Sequence, residues 1–292
     1  MFDEKQHRLR LARSKARYVE GMDFLMQAAA DECLDRLPAI SRQFEHALAL
    51  FGRTEYLASR LAQAPNVTSV TRVENEFHLG RSDHVATPDL LQLEDNVADL
   101  IVAPLGLHWS NDLPGSLIQI QRALKPDGLF LGLLPGPESL QELRTSLMEA
   151  EVQVMDGAGL RVDPFTDIRN AGSLLQRCGF ALPVVDEDVI TVRYDHPLML
   201  IRDLRGFGTT MHLSERTKTP LTRSVVEQMC NNYMQNFSDP DGRIRATFSF
   251  ISLSGWKPHE SQQKPLKPGS AKSRLADALN VTEHPLKDDE RP

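Results

Sequence analysis

Two residues near the middle of the chain carry side chains suited to chemistry. His108 and Trp109 stand in the run Leu107-His108-Trp109-Ser110-Asn111-Asp112, which follows the apolar stretch Leu100–Ala103. An imidazole titrates near neutrality, so His108 is a candidate general base. The indole of Trp109 can stack on a guanidinium or an adenine. The plain alternative is that both cap a sheet and pack the helix that follows. Asn111 and Asp112 fit turn and N-cap duty for a helix starting near Leu113 or Pro114. Glu74 follows the strand-like run Asn66–Val73, where an acidic residue commonly accepts hydrogen bonds from a ribose hydroxyl pair; a solvated surface glutamate is the alternative. No His-x-Asp or His-x-Glu pair occurs, so the usual non-haem iron triad has no support in the sequence. A glycine-rich flavin fingerprint is also missing. His259 and Glu260 are further candidates, for catalysis or for an interface.

These residues need elements to position them. Leu100–Ala103 and Leu129–Leu134 are short apolar runs flanked by turn signals, as expected of parallel strands covered on both faces. The carboxyl end of such a strand is where open α/β sheets bind ligands, and His108 lies just past one. Between the strands, Leu117, Ile118, Ile120, Ala123 and Leu124 recur at helical spacing over Ser116–Leu124. Lys125-Pro126-Asp127-Gly128 stops that helix, with Gly128 expected to take the left-handed turn. Upstream, Ala47–Leu50 reads as a strand, and Tyr56, Leu57 and Leu61 as the helix after it. Downstream the spacing predicts helices over Ser139–Val154 and Ile168–Cys178 and a strand over Val184–Val192. A mostly helical cap is expected over residues 196–240, with helices Leu198–Gly206 and Thr222–Asn236. Asp239-Pro240-Asp241-Gly242 is a turn, and Thr247–Trp256 is the last strand. The chain thus divides into a helical region 1–43, a central domain 44–258 and a polar tail 259–292, expected to be disordered or draped on the surface.

Composition sets modest bounds. The 292 residues are 41% hydrophobic and 25% charged, ordinary values for a globular protein of one large domain. The net charge of −7 argues against a general nucleic-acid binder. Arg8, Arg10, Arg13, Lys15 and Arg17 nevertheless cluster near the start. They offer a docking face for an acidic partner or an anionic membrane, or simply a solvated helix face. The three cysteines, Cys33, Cys178 and Cys230, are far apart and fit a reducing compartment without structural zinc. No apolar run approaches the ~20 residues of a membrane span, and no secretory signal follows the first methionine. A cytoplasmic protein is the expectation, with peripheral membrane association left open.

The strand, loop, helix and K-P-D-G turn of Asp99–Leu134 resemble the second half of a class I S-adenosylmethionine (SAM)-dependent methyltransferase. That resemblance implies an α/β, Rossmann-like sheet, mostly parallel with the last strand antiparallel, and helices on both faces. It also implies that the loop carrying Leu105 faces cofactor and substrate. The family opens with a motif close to L-D-L-G-C-G-x-G. Here the matching segment is Ala47-Leu48-Ala49-Leu50-Phe51-Gly52-Arg53-Thr54-Glu55. Only Gly52 remains, Phe51, Arg53 and Glu55 stand where glycines would sit, and Ala49 replaces the acidic residue. Loop glycines let the backbone approach a ligand and turn tightly, so the resemblance implies a SAM site that is impaired or rebuilt. Gly52 and Glu74 are its candidate cofactor residues, with Asp89, which lies where the family places acids near the adenine amine.

A narrower resemblance rests on four motifs in order: F-D-x-x-x-x-R-x-R from Phe2, L-H-W-S-N-D-L-P from Leu107, D-P-F-T-D from Asp163 and G-W-K-P-H-E-S-Q-Q-K-P from Gly255. Together they resemble the bacterial relatives of mitochondrial complex I assembly factor 5, over Phe2 to about Leu279. The wider family also resembles malonyl-carrier-protein methyltransferases. Three functions follow from the resemblance. The first is a protein with a degenerate SAM loop that acts on or with a protein partner, such as a complex I subunit, with arginine modification as its chemistry. The second is a working methyltransferase on a small or carrier-bound acid. The third is an assembly chaperone without catalysis.

Overall fold

Apolar residues alternate along the central strands between two cores. In β1 (Phe44–Leu50), Phe44, Ala47 and Ala49 enter one and Leu48 and Leu50 the other. In β4 (Ala98–Ala103), Leu100 and Val102 face the first core and Ile101 and Ala103 the second. Both faces of such strands are covered, which is why they read as continuous apolar runs. The structure is a computed structural model, and it describes residues 2–155 and 157–263. From residue 264 on, the expected polar tail lies outside the described residues. The compact unit Met1–His259 holds every element below.

The sheet has 7 strands in the order β3-β2-β1-β4-β5-β7-β6. Its other strands are β2 (Val67–Glu74), β3 (His84–Val85), β5 (Leu124–Pro135), β6 (Ala181–Tyr194) and β7 (Ile244–Trp256). β1 to β5 pair in parallel, and β7 runs antiparallel to both β5 and β6. The last strand is therefore antiparallel, as the resemblance implied. Strand order reverses between β1 and β4, and the carboxyl ends of these two strands open the ligand side of the sheet.

Helices cover both faces. α4 (Leu113–Ala123) and α6 (Ile168–Arg177) put Leu117, Ile120, Ala171 and Leu175 into the second core. The first core takes α2 (Phe24–Leu34), α3 (Tyr56–Gln63), α5 (Gln141–Met155), α7 (Pro197–Phe207) and α8 (Arg223–Phe237). α7 and α8 lie within the segment 196–240, called the cap below, and α8 packs along α5. α1 (Glu4–Ala16) packs on α7. Asp112 caps α4 as expected, accepting from the Gly115 N–H; Asp167 likewise accepts from that of Asn170 and Thr222 from that of Val225.

Two local expectations are corrected. In the K-P-D-G turn, Asp127 takes the left-handed conformation (φ 61°), not Gly128. Gly128 is required for another reason: a Cβ there would lie 2.8 Å from the Lys125 carbonyl oxygen. The basic cluster of α1 is also no single face. Arg8 is exposed and bridges to Glu76 at 2.7 Å, whereas Arg10 turns inward, with Nη1 buried and unpartnered.

The G-W-K-P motif has a structural task. Trp256 pairs with Leu129, and Lys257 Nζ donates to the carbonyls of Leu124 (2.7 Å) and Arg122 (3.0 Å) and to Asn96 Oδ1 (2.9 Å). These groups lie at the end of α4 and the start of β5, the end of the sheet opposite the ligand side. His259 follows there, so the motif does not carry it to the cleft. A charged donor that satisfies helix-end carbonyls is worth about 1–3 kcal/mol. Lys257→Met is expected to lower unfolding stability by about that amount. Urea denaturation of the full chain measures it, and an unchanged midpoint would remove this role.

Candidate functional site

The turn after β1 keeps the shape of a glycine loop without the glycines. Phe51 (φ 54°) and Arg53 (φ 63°) both occupy the left-handed region that favours glycine. Gly52 is needed between them, since a Cβ there would come within 3.0 Å of Leu57 Cβ. Phe51 is buried, and it in turn demands Gly106 after β4, where a Cβ would lie 2.8 Å from Phe51 Cβ. Arg53 is 7% exposed. Its guanidinium donates to the carbonyls of Phe207 and Gly206 at the end of α7 and to Ser14 Oγ on α1. Ser14 Oγ itself donates to Gly206 O. The side chain therefore runs from the loop to the underside of the cap and α1.

Glu74 stands at the end of β2, against this loop, as the sequence expectation required. It is completely buried, and Oε1 accepts from Arg72 Nε at 3.1 Å. Its other oxygen, Oε2, has no partner. Burial pushes the carboxyl up to about 7, against the opposing pull of Arg72. The alternative of a solvated surface glutamate is thereby corrected. Asp89 is engaged locally: Oδ1 accepts from Ser110 Oγ (2.5 Å) and from the Asp112 N–H (3.0 Å). It orders the turn into α4 and also borders the space beside β2 and β3.

Two cavities meet at Trp109. One, of about 490 Å³, opens over the ends of β2 and β3 and is walled by His7, Asn75, Glu76, Asp89 and Trp109. The other, of about 230 Å³, lies beneath the cap. Leu105, His108, Trp109, Phe165 and Phe250 line it, together with Asp163 and Arg161. The structure thus brings His108, Trp109 and Leu105 to one cavity. Gly52 and Glu74 line neither cavity, and Asp89 borders the other.

The chemistry expected of His108 changes in this setting. Its Nδ1 accepts from the Gly106 N–H at 3.3 Å, so the neutral ring carries its proton on Nε2. Burial drives its pKa down to about 3. This imidazole is a hydrogen-bond donor at neutral pH rather than the expected general base. Trp109 packs on His108 (ring centroids 4.5 Å apart) and edge-on to His7 (4.7 Å). His7 stacks on His212 at 4.4 Å, and Phe2 lies 4.9 Å from His212. Burial lowers His7 to about 3 and His212 to about 4, and both leave Nε2 without a partner. The whole imidazole cluster is uncharged near neutrality. Among the described residues no group of His, Cys, Asp and Glu is placed to hold a metal.

Asp163 supplies the acidic group of the smaller cavity. Its Oδ1 is buried without a partner, and burial raises its pKa to about 6, with Arg10 pulling the other way. The D-P-F-T-D motif pointed to this segment, but nothing local marked the carboxyl as cavity-facing. His7, His212 and the inward Arg53 were missed as site residues. Contacts between α1, the cap and β4 bring them together, and no sequence spacing records those contacts.

Trp109 joins three imidazoles and walls both cavities, so its removal tests packing against function. Trp109→Ala is expected to cost about 3 kcal/mol, the low end for aromatic truncation, because the ring is half-buried. His108→Ala should cost less. Thermal melts of the two variants check this, and a Trp109→Ala protein as stable as the natural one would remove the packing role.

The comparisons with known proteins agree with this architecture. A family model for a methyltransferase domain matches residues 54–132. The zebrafish (Danio rerio) arginine-hydroxylase NDUFAF5, mitochondrial, is 34% identical over 267 residues, which cover 89% of this chain and 83% of that protein. Malonyl-[acyl-carrier protein] O-methyltransferase 1 of Coxiella burnetii is 28% identical over 240 residues, 81% of this chain and 82% of that enzyme. Among solved structures, the Bacillus halodurans protein BH2331, described as a methyltransferase candidate, aligns with a TM-score of 0.51 at 12% identity. The alignment covers 78% of this chain and 100% of that one, a likeness of fold alone. The sheet order and the similarity over most of the chain converge, and the chain belongs to the NDUFAF5 family of class I methyltransferase-fold proteins.

Proposed function

We propose that this chain binds an arginine side chain of a protein partner in the cavity beneath its cap, without SAM, during assembly of respiratory complex I. The observation that carries the reading is Asp163, a carboxyl with an unpartnered oxygen in a cavity beside Trp109 whose wall is mostly apolar and aromatic but also includes Arg205 and Arg161, the latter held by Glu151. A guanidinium is the complement of such a site, because it pairs with a carboxylate and stacks on an aromatic wall. The resemblance to arginine hydroxylases supports the same ligand, and a complex I subunit is the partner it indicates.

The donor side supports the part of the reading that excludes SAM. The cofactor of this fold carries a positive sulfonium, and here a buried, fully engaged guanidinium runs from the loop that should cradle it. Glu74, the candidate ribose-binding carboxylate, is completely buried and directs one oxygen to Arg72. The residues present do not fit the cofactor, and no methyl-transfer step is drawn through it. Methyl transfer to a carrier-bound acid, as the Coxiella relative's name describes, would need that space open.

Titration with N-acetyl-arginine amide tests the ligand. Weak binding is expected, with a Kd on the order of 1 mM, and Asp163→Asn should abolish it. Ligand binding needs the ionised carboxyl, so affinity should fall as pH drops through about 6. His7, His108 and His212 stay neutral over the range of about pH 5 to 8 and add no step of their own. An equally tight lysine analogue, or no change in Asp163→Asn, would reject the arginine site. In a separate calorimetric titration, SAM at about 1 mM should give no binding heat, and Arg53→Gly should gain affinity. Micromolar SAM affinity of the natural chain would overturn the donor argument alone.

A further inference from the structure

We infer that the groove between the end of α1, α7 and α8 receives an acidic, amphipathic helical segment of the partner protein. The inference rests on the reading above that the ligand is presented by a protein. The groove encloses about 880 Å³, and Met22, Ile201, Val226 and Met229 line it. Val19, Leu198 and Leu221 also line it and are large apolar residues left exposed, at 56%, 48% and 36%. A stripe of this kind, set in a concavity between helices, matches a helix that lays its apolar face down, with anchors at i, i+3, i+4 and i+7. A membrane plane would need the apolar residues on a protruding surface.

The rim gives the sign of the partner's charge. Arg17, Arg202 and Arg205 line the groove, and their guanidinium groups make no salt bridge or hydrogen bond among the described residues. The chain as a whole carries a net charge of −7, so three free arginines around one apolar groove run against its overall balance. Complementarity calls for glutamates or aspartates flanking the partner's apolar stripe. A fourth arginine, Arg161, is already held by Glu151 at 2.6 Å and fixes the wall.

The groove also leads to the site. Arg161, Ile201, Arg205 and Leu221 line both the groove and the cavity that contains Asp163. A segment seated in the groove would therefore hold the adjoining stretch of the partner chain at the cavity mouth. The groove supplies affinity through area and charge, and the cavity supplies the choice of side chain.

The experiment uses the full chain and a fluorescein-labelled helical peptide with leucines at i, i+3, i+4 and i+7, glutamates elsewhere and no arginine. Fluorescence anisotropy should show saturable binding that weakens with salt. Arg202→Glu with Arg205→Glu should weaken it by at least about tenfold. Arg122→Glu, at the opposite end of the sheet, should leave it unchanged. Asp163→Asn should also leave it unchanged, which separates a failed groove from a failed arginine pocket. A lysine version of the peptide should bind only the charge-reversed protein. Equal binding of both peptides, no loss on reversal, or binding to phosphatidylglycerol vesicles but not to the peptide would overturn the proposal.

Discussion

One buried guanidinium holds the ligand side of this molecule together. Arg53 leaves a turn with glycine-like backbone angles and ends on two carbonyls of α7 and the hydroxyl of Ser14. A buried cation without partners would cost several kcal/mol, so its hydrogen bonds fix the neighbours as firmly as the neighbours fix it. The turn after β1, the amino-terminal helix and the end of the cap therefore form one mechanical unit. Left-handed backbone at Phe51 and Arg53 costs roughly 1 kcal/mol or more at each position, and only such surrounding structure can hold it. The constraint then passes to β4, because Phe51 packs where only Gly106 leaves room.

That unit decides what the site can be. With Arg53 inside, space for a ligand remains on either side of Trp109: over β2 and β3, and beneath the cap. Burial keeps the imidazoles around Trp109 uncharged, so they behave as aromatic packing with donor edges. The one acidic group that remains available in the lower cavity is Asp163. In the proposed reading the unpartnered oxygen of Asp163 takes a cation brought by the ligand, beside the wall arginines Arg161 and Arg205. Arg17 and Arg202, which line the groove and not the pocket, have the opposite preference. In the proposed reading this division would let one surface attract an acidic chain while the pocket accepts a basic side chain from it.

A methyltransferase fold and an altered donor loop are compatible for the same reason that folds outlive chemistry. The sheet, its order and its two cores depend on apolar alternation, which Phe44–Leu50 and Ala98–Ala103 retain. The family's donor loop depends on a few backbone positions free of side chains, and here side chains stand at Phe51 and Arg53. Scaffold and site are encoded by different residues, so one can persist while the other is rebuilt.

The sequence by itself determined the strands and helices that surround the site, because burial on two faces and helical periodicity are local patterns. It also determined the cap at Asp112, where side chain and backbone lie within a few residues of each other. The position of His108 and Trp109 past β4 and that of Glu74 at the end of β2 were legible for the same reason. Charge and accessibility were not, since they depend on what else packs nearby. Only the tertiary structure turned Arg10 and Arg53 inward, silenced His108 as a base and buried Glu74 against Arg72. It alone brought His7, His212 and Asp163 from distant parts of the chain to the walls of the two cavities. Desolvation and hydrogen bonding at long sequence separation made those decisions, and neither leaves a period or a spacing in the sequence.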